Sequence, residues 1–159
     1  MGFNNFSWVI EGKLAGSGIP GGRQIARTAS QSADLADLRK AGIKVLVSLE
    51  KMPAGFGNSV AKASMEWMEF PIRDFESPDD SEAFGRLVDT VIRAIQSGNP
   101  VCVHCQAGVG RTGLVLACIL GRLYGISGRQ AISAVRKVRT ALETEEQIRF
   151  AQDFCRTDG

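Results

Sequence analysis

The sequence predicts an α/β domain with a central, mostly parallel sheet flanked by helices. Two observations carry this. Short apolar, β-branched runs alternate with amphipathic stretches up to residue 104, and helical patterns then follow one another to the end. With 159 residues the chain has the size of one domain with its own core, taken as residues 1–159.

Taken in order, Phe6–Ile10 and Lys13–Ala15 read as short strands. Residues 16–22 (GSGIPGG) form a turn-rich loop. Ser32–Lys40 reads as a helix with Leu35 and Leu38 on its inner side and Gly42 at its stop. Ile43–Leu49 is a buried strand, Glu50–Lys62 a loop around Pro53, Gly55 and Gly57, and Met65–Ile72 another strand. Residues 73–80 (RDFESPDD) are an acidic loop. Phe84, Leu87, Val88, Val91, Ile92 and Ile95 recur at helical spacing up to Gly98. Val101–His104 is a buried strand. Thr112–Tyr124 is apolar almost all round, as a covered central helix must be. Ala131, Ile132, Val135 and Val138 mark another helix, and Ile148, Ala151, Phe154 and Cys155 the last.

Composition excludes several classes. At 44% hydrophobic, 23% charged and 7% aromatic residues, the chain is neither disordered nor a disulfide scaffold. The longest apolar run, Leu114 to Leu120, is far short of the ~20 residues of a membrane helix. No signal-peptide pattern opens the chain. One histidine cannot build a multi-histidine metal site. The net charge is only +2, but no acid lies between Asp89 and Glu143, where seven bases fall: Arg93, Arg111, Arg122, Arg129, Arg136, Lys137 and Arg139. A basic stretch in a near-neutral chain points to an anionic ligand, unless the bases scatter over several helix faces.

The stretch that carries chemistry is Val101-Cys-Val-His-Cys-Gln-Ala-Gly-Val-Gly-Arg-Thr-Gly113. A strand runs into a glycine-bearing loop, and the loop into the start of an apolar helix. Backbone N–H groups of such a loop, with the helix N-terminus behind them, cradle an anion. It is not the nucleotide P-loop, whose spacing and lysine are missing. Cys105 stands at the mouth of the cradle, where a thiolate is favoured. Arg111, six residues on, has the planar fork that holds two phosphate oxygens. Gly108, Gly110 and Gly113 would permit positive φ and close approach.

This stretch resembles the signature His-Cys-x-x-Gly-x-Gly-Arg-Ser/Thr-Gly of the cysteine-dependent protein tyrosine and dual-specificity phosphatases. The likeness extends further. Residues 6–20 (FSWVIEGKLAGSGIP) are similar to the opening of the small atypical dual-specificity phosphatases and their prokaryotic relatives. Residues 45–49 (VLVSL) resemble their central strand, residues 71–74 (PIRD) the segment bearing their general acid, and residues 143–147 (ETEEQ) the region of their late glutamine. Where the family often has Arg-Pro-Gly, this chain has Arg139-Thr140-Ala141, which sets that loop apart.

The resemblance implies a phosphatase that forms a phosphocysteine on Cys105 and holds the phosphate with Arg111 and with Gln106, Ala107, Gly108, Val109 and Gly110. Asp74 would be general acid and later base, with Asp79 and Asp80 as rivals better suited to capping a helix. Thr112 would help the cysteine leave, Gln147 would place the hydrolytic water, and His104 would organise the loop. It implies no metal and no cofactor, and a phosphotyrosine substrate, with some phosphoserine or phosphothreonine, on a protein or peptide. Phosphate, vanadate or sulfate would occupy the same cradle. No membrane or nucleic-acid partner is expected, and the chain is expected to act as a cytoplasmic monomer. Alternatives are a phosphoinositide or RNA 5′-phosphate phosphatase, or a phosphate-binding module without catalysis. The loop interior has no cation before Arg111, which argues against polyphosphorylated substrates. Cys102 makes a Cys-x-x-Cys with Cys105; zinc would need more ligands than Cys118 and Cys155 offer. Cys102 reads as a small core residue, with a protective disulfide to Cys105 left open. Trp8, Trp67 and Phe75 read first as core residues, Phe75 also as a pocket wall. Arg23 and Arg27 are either substrate contacts or solvated.

Overall fold

The computed structural model describes residues 4–22 and 28–156. Arg23 and Arg27 lie outside the described residues. Eleven elements follow in chain order: β1 Ser7–Ile10, β2 Leu14–Ser17, α1 Thr28–Lys40, β3 Val45–Ser48, α2 Phe56–Lys62, β4 Glu66–Glu69, α3 Ser81–Gln96, β5 Val101–His104, α4 Gly110–Tyr124, α5 Gly128–Arg136 and α6 Glu145–Phe154. The strands form one sheet in the order β1-β2-β5-β3-β4. Only the β1–β2 pair is antiparallel, so the sheet is mixed but mostly parallel, as the sequence predicts.

Strand alternation sorts side chains between the two faces. On one face Leu14, Val45, Val47, Val101, Val103 and Cys105 meet the apolar sides of α3, α4, α5 and α6. On the other, Ala15, Leu46 and Cys102 meet Leu35 and Leu38 of α1 and Phe56 and Val60 of α2. α4 is the pillar of the first layer. Its residues 110–121 are all buried, which is why its sequence shows no polar face. Each large apolar side chain so covered contributes about 1.5–3 kcal/mol.

Register puts the site at the sheet's centre. Ser17 of β2 and Ser48 of β3 both pair with His104, the last residue of β5. The loop after His104 therefore leaves the C-terminal edge of a parallel sheet between two strands. In open α/β sheets ligands bind at that edge, where the connections diverge.

The structure corrects three readings. Residues 56–62 are helix α2, not loop: Phe56 and Val60 are buried one turn apart, while Pro53, Gly55 and Gly57 mask the pattern. Gly57 is needed there because a Cβ would lie 2.8 Å from the Trp67 ring. β2 continues through Gly16 and Ser17, since their backbone completes the ladder to Val103 and His104. Phe75 is no core residue; it is 55% exposed.

Candidate active site

β5 delivers Cys105 and α4 takes over at Gly110, so residues 105–109 make the turn between them. Five successive carbonyls of this turn are bonded away from its interior. His104 Nδ1–H meets the Cys105 carbonyl at 3.0 Å. The Ile19 amide donates to Gln106 O at 2.9 Å. Asn5 Nδ2 donates to Ala107 O at 3.1 Å and to Gly108 O at 3.3 Å. Arg139 Nη2 donates to Gly108 O at 2.6 Å, and the Leu142 amide to Val109 O at 3.2 Å. With its carbonyls turned out, such a loop leaves its N–H groups to face the concave side. Gly108 has φ +80°, and a Cβ on it would lie 2.7 Å from the Ser17 backbone, so only glycine fits. Gly110 and Gly113 have no positive φ. Both lie in α4, and what demands their size is crowding, by Glu143 and Gln147 at the first and by Ala141 at the second.

Cys105 is 2% exposed, and Thr112 Oγ1 donates to its Sγ at 3.0 Å. Arg111 is nearly as buried. Its Nη1 donates to Ile72 O at 3.0 Å. Its Nη2 lies 3.5 Å from Glu50 Oε1 and 3.4 Å from Asp74 Oδ1. Its Nε is buried and has no partner among the described residues. The guanidinium is thus oriented by two acids and a carbonyl while one donor stays open. Asp74 is about half exposed at the rim. Asp79 lines the same rim. Asp80 caps α3, accepting from Ala83 N at 3.0 Å, as a helix-capping reading requires. A cleft of about 510 Å³ opens beside Arg111, walled by Glu50, Lys51, Arg73, Asp74, Glu76 and Asp79 among others.

Beneath the loop lies a directed hydrogen-bond chain. Trp67 Nε1 donates to Ser48 Oγ at 2.8 Å. Ser48 Oγ is 2.6 Å from His104 Nε2. The indole can only donate and the carbonyl can only accept. Ser48 must therefore donate to Nε2, and the proton of the neutral ring sits on Nδ1 facing the Cys105 carbonyl. Burial, the largest influence, pulls the His104 pKa down from 6.5 to about 4; the Arg111 charge adds to this, and the Cys105 carbonyl opposes it. On the same face Cys102 is fully buried against Ser17, and burial pushes its thiol up to about 12. Cys102 and Cys105 pack into opposite layers of the sheet, which argues against a disulfide between them.

Gln147 is fully buried, not on a solvated face. Its Oε1 accepts from the Glu143 and Thr144 amides at 2.7 and 3.3 Å, and its Nε2 donates to Glu76 O at 3.4 Å. It adjoins the loop, since a Cβ on Gly110 would lie 3.1 Å from Nε2. The segment Arg139-Thr140-Ala141 still closes on the loop. Arg139 Nη1 donates to Gly16 O at 2.7 Å and to Ser7 Oγ at 2.8 Å. Asn5, Glu50 and Ser48 escaped sequence reading. Arg139 was visible as one of seven bases and as the arginine of Arg139-Thr140-Ala141, where the family often has Arg-Pro-Gly, but no role on the loop was read for it. Among the described residues no three His, Cys, Asp or Glu side chains gather as metal ligands, and no helix is long and apolar enough to cross a membrane.

Comparison with known proteins agrees with this geometry. The family model "Tc-R-P: Polymorphic toxin system, DSP-PTPase phosphatase" matches residues 18–123. Cyclin-dependent kinase inhibitor 3 of Rattus norvegicus is 32% identical over 87 residues, 53% of this chain and 41% of that protein. Tyrosine-protein phosphatase non-receptor type 18 of Homo sapiens is 37% identical over 109 residues, 58% of this chain and 23% of that protein. The chain spans less than half the length of the curated relatives it matches. Among solved structures, Tk-PTP in its active form superposes with a TM-score of 0.80 at 24% identity, covering 96% of this chain and 97% of that one. Kinase associated phosphatase with its catalytic cysteine changed to serine gives 0.79 at 20% identity, over 97% and 96%. At these identities the structures speak for the fold.

Proposed function

The chain belongs to the DSP-PTPase phosphatases, within the tyrosine and dual-specificity phosphatase superfamily, and on that footing we propose that it hydrolyses phosphate monoesters of proteins or peptides through a phosphocysteine. The observation that carries this reading is the turn at 105–109. Its carbonyls point outward, Thr112 Oγ1 lies 3.0 Å from Cys105 Sγ, and beside it Arg111 keeps a buried Nε without a partner among the described residues.

In this reading the phosphoryl group enters the concave side of the turn. Loop N–H groups and Arg111 take its oxygens, as preorganised donors where charge builds up. Cys105 attacks phosphorus, and the bond to the ester oxygen breaks. Asp74 gives that oxygen its proton. Asp74 then takes a proton from the water that attacks the phosphocysteine. Thr112 supports the departing sulfur by its hydrogen bond. Gln147 borders the cradle and has a second N–H on Nε2 available to hold that water. His104, neutral, acts by fixing the Cys105 peptide and not as a base.

Several features favour a substrate with one phosphate. The loop interior holds Gln106, Ala107 and Val109 and no cation, and in the cleft wall beside Arg111 four carboxylates outnumber the two further cations, Lys51 and Arg73. Phosphotyrosine, with phosphoserine or phosphothreonine as secondary substrates, fits that reading.

Purified protein should release phosphate from an aryl phosphate in the presence of EDTA. Cys105→Ser should abolish turnover and keep vanadate binding; a variant that retained most of its activity would rule the mechanism out. A panel of phosphopeptides, phosphoinositides and 5′-triphosphorylated RNA separates the substrate classes. A preference for either of the last two would displace the protein-substrate reading.

A further inference from the structure

The residues that follow Asp74 are gripped from outside their own loop. Three side chains at the start of α6 reach three consecutive residues. Thr144 Oγ1 donates to Phe75 O at 3.1 Å. Gln147 Nε2 donates to Glu76 O at 3.4 Å. Glu146 Oε2 accepts from the Ser77 amide at 2.7 Å and from Ser77 Oγ at 2.9 Å. On the other side of Asp74, Arg111 Nη1 holds Ile72 O at 3.0 Å. Asp74 is therefore strung between two anchors, one at the start of α4 and one at the start of α6.

Such anchoring is needed. Asp74 is half exposed, and its carboxyl is held through one oxygen, Oδ1, 3.4 Å from Arg111 Nη2. Phe75 has φ +66°, a left-handed conformation that an aromatic residue avoids unless its surroundings impose it. The bond from Thr144 to the Phe75 carbonyl, and that from the Phe75 amide to Asp74 Oδ1 at 3.0 Å, impose it here. Thr144 and Gln147 also form the capping box that starts α6, so the helix start and the loop position are set by the same atoms.

We propose that Thr144 and Glu146 are positioning residues that hold the Asp74 carboxyl where it can protonate the leaving group. This rests on Asp74 being the general acid. A carboxyl displaced by about 1 Å loses much of its advantage in proton transfer, and the loss depends on how badly the leaving group needs the proton.

The test is kcat/KM across aryl phosphates whose phenols range from weakly to strongly acidic. A placed acid makes the rate nearly independent of phenol acidity; a misplaced one makes it fall with each less acidic phenol. Glu146→Ala and Thr144→Val should each lose about tenfold more on phenyl phosphate than on dinitrophenyl phosphate, within the 10²–10⁴-fold that such an acid can contribute. Glu146→Gln and Thr144→Ser, which keep an acceptor and a hydroxyl, should recover most of that selective loss. Asp74→Asn is the control. If Asp74→Asn steepens the dependence and Glu146→Ala and Thr144→Val do not, the positioning role is overturned and the acid stands. If Asp74→Asn leaves the dependence unchanged, the acid reading itself fails.

Discussion

His104 is where one residue's surroundings decide its chemistry. It is fully buried at the end of β5, accepts from Ser48 and donates to the Cys105 carbonyl. An imidazolium there would lose the acceptor role that Ser48 needs, and burial already disfavours the charge, hence a folded pKa of about 4 against 6.5. The sign follows from proton counting. Between those values the unfolded chain binds a proton that the folded one does not, so stability rises with pH. The contribution is complete above the unfolded value and erodes as pH falls toward the folded one. In His104→Gln, the loss of unfolding free energy between about pH 7.5 and about pH 5 should be smaller than in wild type by about 2 kcal/mol, read from urea titrations. Equal losses would mean that His104 is protonated in the fold. The sequence placed this histidine beside Cys105, but Ser48 and Trp67 were out of reach, because strand register across β3, β4 and β5 has no local signature.

At the scale of elements, the loop owes its shape to neighbours distant in sequence. Asn5 before β1, Ile19 after β2, and Arg139 and Leu142 after α5 all bond its carbonyls. Arg139 is the busiest, with Gly16, Gly108 and Ser7 on one guanidinium, and burial draws its pKa down from the ordinary arginine value. Removing it orphans buried acceptors at about 1–3 kcal/mol each. Arg139→Ala should therefore lower the unfolding free energy by about 3 kcal/mol and weaken vanadate binding at least about tenfold, with Arg139→Lys between it and wild type. Vanadate affinity unchanged in Arg139→Ala would show that the loop holds its shape unaided. Long apolar runs made β5 and α4 legible to within two residues. α2 was not legible, because two buried residues among glycines and a proline carry too little periodicity. The loop at 105–109 was read as a string with fixed spacing; its outward carbonyls were invisible, since their donors come from four separate segments.

At the scale of the molecule, the basic stretch resolves into separate tasks. Arg111 and Arg139 are buried at the loop. Arg136 donates to Ala141 O and Leu142 O. Arg122 pairs with Asp89 at 3.1 Å and lies 4.4 Å over the Phe154 ring. Arg93 donates to Thr90 Oγ1. Five of the seven bases thus have partners within the chain; Arg93, Arg122 and Arg136 are exposed, and only Arg111 and Arg139 are buried, both at one point of the sheet edge. The central claim concerns that point: catalysis passes through a phosphoryl group on Cys105. It is tested most directly by quenching turnover of an aryl phosphate in acid within milliseconds, digesting the protein and locating the phosphoryl group by mass spectrometry. The account predicts one phosphoryl group on Cys105, absent in Cys105→Ser. Phosphate release with no phosphoenzyme, or a phosphoryl group on any other residue, would contradict it.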